Sequence, residues 1–122
     1  MNHRTGLVLP VAEIARLART CAAHLRSLRD YWVGRIGDLP GVQVLTPDDA
    51  GMTGAVTSFR LKGKTSFEDN AALARTLAER YGIFTVAREG PLGGSCIRVT
   101  PSYFTTTAQL DRLVAAISAL AA

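Results

Sequence analysis

The sequence predicts an α+β domain in which helices pack on one face of a small, mainly antiparallel sheet. In three segments, apolar residues recur every three or four positions, and four shorter segments alternate or are rich in β-branched residues. Connections of hairpin length favour antiparallel pairing, and the resulting order is α-β-β-α-β-β-α. With 122 residues, 48% of them hydrophobic, the chain can bury one core and is too short for two ordinary domains.

The first helical segment begins after Pro10 and ends at Gly37. Its apolar residues follow alternating steps of three and four, which predicts a single apolar stripe on one or two helices, made of Val11, Ile14, Ala18, Cys21, Leu25, Leu28, Trp32 and Ile36. Residues 1–36 hold six arginines against Glu13 and Asp30, so the formal net charge of +4 lies in this segment. We favour a solvated helix face over contact with nucleic acid or an acidic membrane.

The remaining elements are bounded by turn and capping residues. The second helix begins after Ser66, where Asp69 three positions on forms a variant of the capping box, and it ends at Gly82. The last helix begins after Thr105 or Thr106 and keeps a period of 3.6 residues. Four strands are predicted, at 42–45, 55–61, 83–88 and 96–100.

Arg98 is the clearest candidate for a binding residue on chemical grounds. Alternation along its strand puts Ile97 and Val99 on one face and Cys96, Arg98 and Thr100 on the other. A guanidinium in mid-strand needs an anionic partner, and its planar fork matches a carboxylate or a phosphate. The alternatives are an ion pair with an Asp or Glu of the chain, or an exposed position on an edge strand.

The cysteines and histidines have ordinary structural interpretations. Cys21 and Cys96 are too few for a disulfide scaffold and, without an apolar signal segment, fit a reducing cytoplasmic compartment. His3 and His24 have no third residue at metal-ligand spacing, so no metal site is predicted. No run approaches the roughly 20 uninterrupted apolar residues that cross a bilayer.

The run from Cys96 to Leu113 carries a resemblance to a known family. It reads CIRVTPSYFTTTAQLDRL and is similar to the closing motif of class V aminotransferase-like, pyridoxal-phosphate-dependent enzymes. That family includes cysteine desulfurases, selenocysteine lyases and isopenicillin N epimerase-like proteins. Upstream runs resemble the family's small C-terminal domain in the same order, at 39–47, 56–59, 81–83 and 86–88. The resemblance implies that Arg98 binds the α-carboxylate of an amino-acid substrate in the complete enzyme.

Residues 6–19 resemble a different part of the family. In the large domain this segment precedes the strand whose aspartate pairs with the pyridine nitrogen of the cofactor. Here neither that strand nor the lysine segment that forms the Schiff base follows, and the chain passes straight into the first helix of the small domain. We therefore expect residues 1–21 to be a remnant of a large-domain helix and residues 22–122 to be the small domain, together one compact unit.

The aspartate strand and the lysine segment that are missing here are both needed for catalysis in the family that the chain resembles. Pyridoxal phosphate chemistry needs a lysine imine, and Lys62 and Lys64, the only lysines, lie in a turn and do not match the family's lysine motif. We expect this chain alone to bind no cofactor and to have no catalytic residue. The loop 89–95, where desulfurases carry a catalytic cysteine, has none, and Cys96 is expected to be a packing residue. The resemblance therefore favours the epimerase or aminotransferase-like branch.

The alternative interpretation is a small binding or oligomerisation module. In that case Arg98 contacts a carboxylate ligand or a partner protein, and the helix that begins at Val11 offers a surface for a second copy. Self-association is expected in either case, because apolar faces that cover the large domain in the complete family are exposed in a fragment.

Overall fold

The computed structural model of the chain describes residues 10–47, 49, 51, 54–90 and 93–122. Within these residues the predicted class and element order are confirmed. The helices are α1 (Val11–Ile36), α2 (Phe67–Tyr81) and α3 (Thr107–Ala121), and the strands are β1 (Val42–Val44), β2 (Thr57–Leu61), β3 (Val86–Arg88) and β4 (Cys96–Val99). The sheet order is β1-β2-β4-β3, and each neighbouring pair is antiparallel.

The two shorter helices begin and end at residues whose chemistry suits a cap. The Ser66 hydroxyl accepts a hydrogen bond from the backbone N–H of Asp69 at 3.1 Å, which confirms the predicted start of α2. Gly82 ends α2 in the left-handed conformation, at φ 66° and ψ 27°. Thr106, not Thr105, caps α3, and it forms a reciprocal capping box with Gln109.

The strands are shorter than the alternating patterns predicted. Residues 83–85 lie outside β3, and the N–H of Ile83 instead donates to the carbonyl of Leu77 at the end of α2. Thr100 lies outside β4 because Pro101 follows it and has no N–H to continue the ladder. The sheet is therefore small, and its longest strand, β2, spans five residues.

The core lies between the sheet and the three helices, all on one face. Trp32 of α1 and Phe59 of β2 are fully buried, with ring centroids 6.2 Å apart in an edge-to-face arrangement. Ile97 of β4 and Leu113 of α3 complete this cluster, and side chains of α2 pack against its border. Burial of these side chains is the main source of the stability of the domain.

Helix α1 is one continuous helix whose apolar stripe has two different environments. Leu28, Trp32 and Ile36 are buried against the sheet, whereas Val11 and Ile14 remain 65% and 51% exposed. The expected boundary between residues 21 and 22 falls inside this helix and stays a prediction. Of the helices in the described ranges, none is long and apolar enough to cross a membrane.

Candidate carboxylate-binding face

The second face of the sheet carries none of the three helices described above, and we call it the open face. Its side chains follow from the register, in which Arg98 of β4 lies opposite Ser58 of β2 and Val86 of β3. Arg88 lies opposite Cys96 on the same face. Ile97 and Val99 point to the core and are buried, so the predicted alternation along β4 is confirmed.

Arg98 is exposed on an interior strand of the sheet. Because β4 lies between β2 and β3, the interpretation of Arg98 as an edge-strand residue is wrong. The predicted alternative of an ion pair is not found either, since the one ion pair among the described residues joins Arg29 and Asp30 at 2.8 Å. The four strands contain no Asp or Glu at all. The guanidinium of Arg98 therefore faces solvent without a carboxylate partner on its own sheet.

Two more arginines lie on the open face, and the structure gives them different roles. Arg60 is 8% exposed, and its Nε donates to Oε1 of Gln43 at 3.0 Å. Its Nη1 donates to the carbonyl of Gly93 and, at 3.4 Å, to that of Ser95. Arg60 is thus occupied in holding the loop that precedes β4.

Arg88 is exposed at the end of the edge strand β3. It lies diagonally across from Arg98, so their Cα atoms are about 8 Å apart by sheet geometry. No pattern within a single strand groups these arginines with Arg98, but alternation within each strand, combined with the sheet order, places all three on one face. Like-sign guanidiniums on strands that contain no acidic residue favour the approach of an anion.

The chain is similar in sequence to two isopenicillin N epimerases. The chain is 36% identical over 98 residues to an isopenicillin N epimerase of Streptomyces clavuligerus, and 30% identical over 97 residues to that of Amycolatopsis lactamdurans. Each match covers 80% of this chain but only 24% and 23% of the relative. The chain therefore spans about a quarter of the length of these relatives. No family model matches it.

Solved structures share the fold at low sequence identity. The cysteine desulfurase CsdA of Escherichia coli superposes with a TM-score of 0.66 at 20% identity, over 81% of this chain and 25% of that one. An alanine–glyoxylate aminotransferase of Nostoc sp. gives 0.63 at 18% identity, over 80% and 25%. The cystine C-S lyase C-DES, in complex with cysteine persulfide, gives 0.63 at 21%, over 79% and 23%. Over about 80% of its length the chain is similar to a small C-terminal domain of class V aminotransferase-like enzymes.

A structure of one of these neighbours, C-DES, contains pyridoxal phosphate with glycine covalently linked to it. The two lysines of the chain, which could form an imine with that group, lie away from Arg98. Lys62 and Lys64 are exposed in a turn around Gly63, whose φ is 81°, and the N–H of Lys64 donates to the carbonyl of Leu61. Arg98 lies opposite Ser58, four residues before Lys62, so this lysine is about 13 Å farther along the sheet. No lysine lies on the four strands that form the open face.

The other side chains with reactive groups have structural contacts in the small domain. Cys96 is buried and Cys21 is exposed, and both are free thiols. The burial of Cys96 agrees with its prediction as a packing residue. His24 is half-buried, with Nε2 3.0 Å from the carbonyl of Tyr103 and its ring 4.7 Å from the Tyr103 ring. His3 lies outside the described residues.

Proposed function

We propose that this domain supplies the arginine that binds the substrate α-carboxylate to a pyridoxal-phosphate-dependent enzyme of class V. The observation that carries the proposal is Arg98, an exposed guanidinium on an interior strand whose sheet has no acidic residue. A guanidinium donates two parallel hydrogen bonds to a carboxylate, which fixes both the position and the orientation of an amino acid. In the complete enzyme the open face then borders the cleft that holds the amino-acid substrate.

On this proposal the domain alone is catalytically silent and binds no pyridoxal phosphate. The support is the placement of Lys62 and Lys64 in an exposed turn, away from Arg98. The test is incubation with pyridoxal phosphate, borohydride reduction and mass analysis of the peptides. We expect no stoichiometric label on either lysine. A single labelled lysine at unit stoichiometry contradicts the proposal, whereas weak labelling of both is the ordinary reaction of exposed amines with an aldehyde.

The carboxylate-binding role can be measured on the isolated domain by NMR. Hydrogen bonds to an exposed guanidinium contribute about 2–3 kcal/mol, which corresponds to a Kd on the order of 10 mM. Titration with acetate and with L-alanine should therefore shift the Arg98 side-chain Nε–Hε signal and the neighbouring amides of Ser58 and Val86. Chloride at the same ionic strength is the control for screening.

Matched variants separate binding at Arg98 from a general charge effect. Arg98→Gln should abolish the saturable shift while the domain stays folded, since this side chain has no structural partner among the described residues. Arg75→Gln removes one exposed arginine from α2 and should leave the titration unchanged. Equal loss in both variants, or retention of the shift in Arg98→Gln, contradicts the role of Arg98.

Three further parts of the proposal concern the whole protein. The free thiols of Cys21 and Cys96 support a cytoplasmic location. The exposed stripe of α1 supports self-association, and residues 1–21 are proposed to be a remnant of the large domain. The similarity to the two epimerases supports a parent enzyme of the epimerase or aminotransferase-like branch.

A further inference from the structure

Exposed apolar side chains are concentrated at one end of the sheet. In an antiparallel sheet of order β1-β2-β4-β3, the end of β1, the start of β2, the start of β3 and the end of β4 lie at the same end. Phe84 and Phe104 are 87% and 86% exposed there. We call this surface the apolar end, and its large exposed residues are Leu45, Val56, Phe84, Tyr103 and Phe104.

Helix α1 extends past the apolar end. His24 contacts Tyr103 there, so residues 11–23 project beyond the sheet as an arm about 20 Å long. Within the arm every residue is exposed except Ala15, which is half-buried. Val11, Ile14 and Leu17 carry the large apolar side chains of the arm, and Leu17 is 61% exposed. The stripe of the arm has the same orientation as Trp32, because steps of three and four keep residues on one face.

We propose that the occupant of this surface is a second copy of the chain, in a two-fold dimer whose arms pair antiparallel. This interface specifies the self-association proposed above. In an antiparallel pair centred near Leu17 and Ala18, the Val11 end of each arm reaches the apolar end of the other copy, beside Tyr103 and Phe104. A two-fold interface needs one surface that complements itself, and a projecting apolar arm next to an apolar end meets that requirement.

The area available is sufficient for a stable dimer. Aromatic side chains bury about 150–250 Å² each, so Phe84 and Phe104 alone offer roughly 300–400 Å² at their observed exposure. The eight large side chains of the arm and the apolar end together expose about 1,000 Å² per copy. An interface of standard size buries about 800 Å² on each partner. Monomers rarely expose a contiguous apolar patch of more than about 300–600 Å².

The arm has side chains suited to close helix pairing. Ala18 lies on the stripe, Ala15 and Ala22 lie at its border, and such small side chains allow interaxial distances near 8 Å. Two heptads are too short for a coiled coil by themselves, so the pairing also requires the apolar end. Arg16 and Arg19 lie off the stripe, and because both copies carry them, screening by salt should strengthen the dimer.

Sedimentation equilibrium of the whole chain tests the interface. We expect a species of twice the 13.0-kDa monomer mass, with association that increases with salt. Leu17→Glu places two carboxylates at the centre of the arm pair and should weaken association by at least about 100-fold. Ala23→Glu, an equal change of charge on the exposed opposite side of the arm, should change it less than about threefold.

Cysteine cross-linking tests the register. In the Cys21→Ser background, Ala18→Cys brings two thiols together across the two-fold axis and should form a disulfide-linked dimer under mild oxidation. Ala23→Cys in the same background points away from the partner and should not. The buried Cys96 does not compete. Cross-linking of both variants at the same rate indicates random collision and overturns the register.

The outcomes are separable from those for Arg98. A monomer at millimolar concentration, or a dimer that Leu17→Glu leaves intact, overturns the interface without affecting carboxylate binding. Binding of the arm to the large domain of a class V enzyme in preference to a second copy also overturns it. Conversely, carboxylate titration of the Leu17→Glu monomer tests Arg98 alone, since this exposed residue lies on the projecting arm and not on the open face.

Discussion

Replacing Arg60 or Arg98 by Gln tests whether the two arginines of the open face have different roles. Both variants remove one positive charge from the same face. Arg60 is buried and donates hydrogen bonds to Gln43, Gly93 and Ser95, whereas Arg98 is exposed and unpartnered within the described residues. If Arg60 holds the loop before β4, only the Arg60 variant should lose stability.

The magnitude follows from the contacts. A hydrogen bond to a charged group contributes about 1.5–3 kcal/mol, but the carbonyl at 3.4 Å adds little, and Gln43 and Gly93 regain water because both are exposed. Arg60→Gln should therefore lower the free energy of unfolding by about 2 kcal/mol. Arg98→Gln should change it by less than about 0.5 kcal/mol, as is usual for exposed positions.

Urea denaturation followed by the fluorescence of Trp32, the only tryptophan, measures both variants. With a slope of about 1.5 kcal/mol/M, 2 kcal/mol shifts the midpoint by about 1.3 M. The Leu17→Glu background removes any contribution from association. Equal midpoints for the two variants refute the assignment of Arg60 as a structural residue and Arg98 as a binding residue.

Further predictions concern single contacts. The hydrogen bond from Tyr31 to Asp111, at 2.8 Å, raises the pKa of Tyr31 above 10.0, so its stabilising effect is complete below pH 10.0 and is lost as pH rises through the folded-state pKa. Between pH 10.0 and that pKa the wild type should lose stability more steeply than Asp111→Asn, as measured by urea midpoints; parallel curves would contradict this. Gly34 lies in the interior of α1 with open space around an added Cβ, so Gly34→Ala should raise the unfolding free energy by about 0.5–1 kcal/mol. Gly82 has a left-handed backbone at φ 66°, so Gly82→Ala should lower the unfolding free energy by about 1–2 kcal/mol. Thr106→Ala removes the cap of α3 and should cost about 1 kcal/mol in the same assay, and an unchanged midpoint would show that the cap is dispensable.

Local patterns were sufficient to predict most of the elements. The ends of α2 were predicted from Ser66 and Gly82 because capping and left-handed termination depend on a few neighbouring residues. The face of Arg98 was predicted from alternation alone, because side chains of a strand alternate whatever its partners are. The fold class followed from the order and the short connections.

Local patterns could not predict features that depend on contacts between residues far apart in the sequence. The interior position of β4 rests on its pairing with β2, about 40 residues earlier, and nothing within either strand specifies that order. The structural role of Arg60 follows from the same pairing. The stripe of α1 is apolar along its whole length, yet only half of it is buried. The helix is about 39 Å long, whereas the longest strand is about 17 Å long, so the sheet cannot cover all of the stripe. Periodicity defines a face but not the length of the surface that covers it.

The interior position of β4 also affects when the domain can bind a ligand. Arg98 lies on a strand that pairs with both β2 and β3, so the open face around it is complete only when both pairings have formed, including the long-range pairing with β2. A partly folded chain therefore presents no ordered open face. If Arg98 binds a carboxylate as proposed, this binding reports completed folding, because the ligand stabilises the finished domain relative to its folding intermediates.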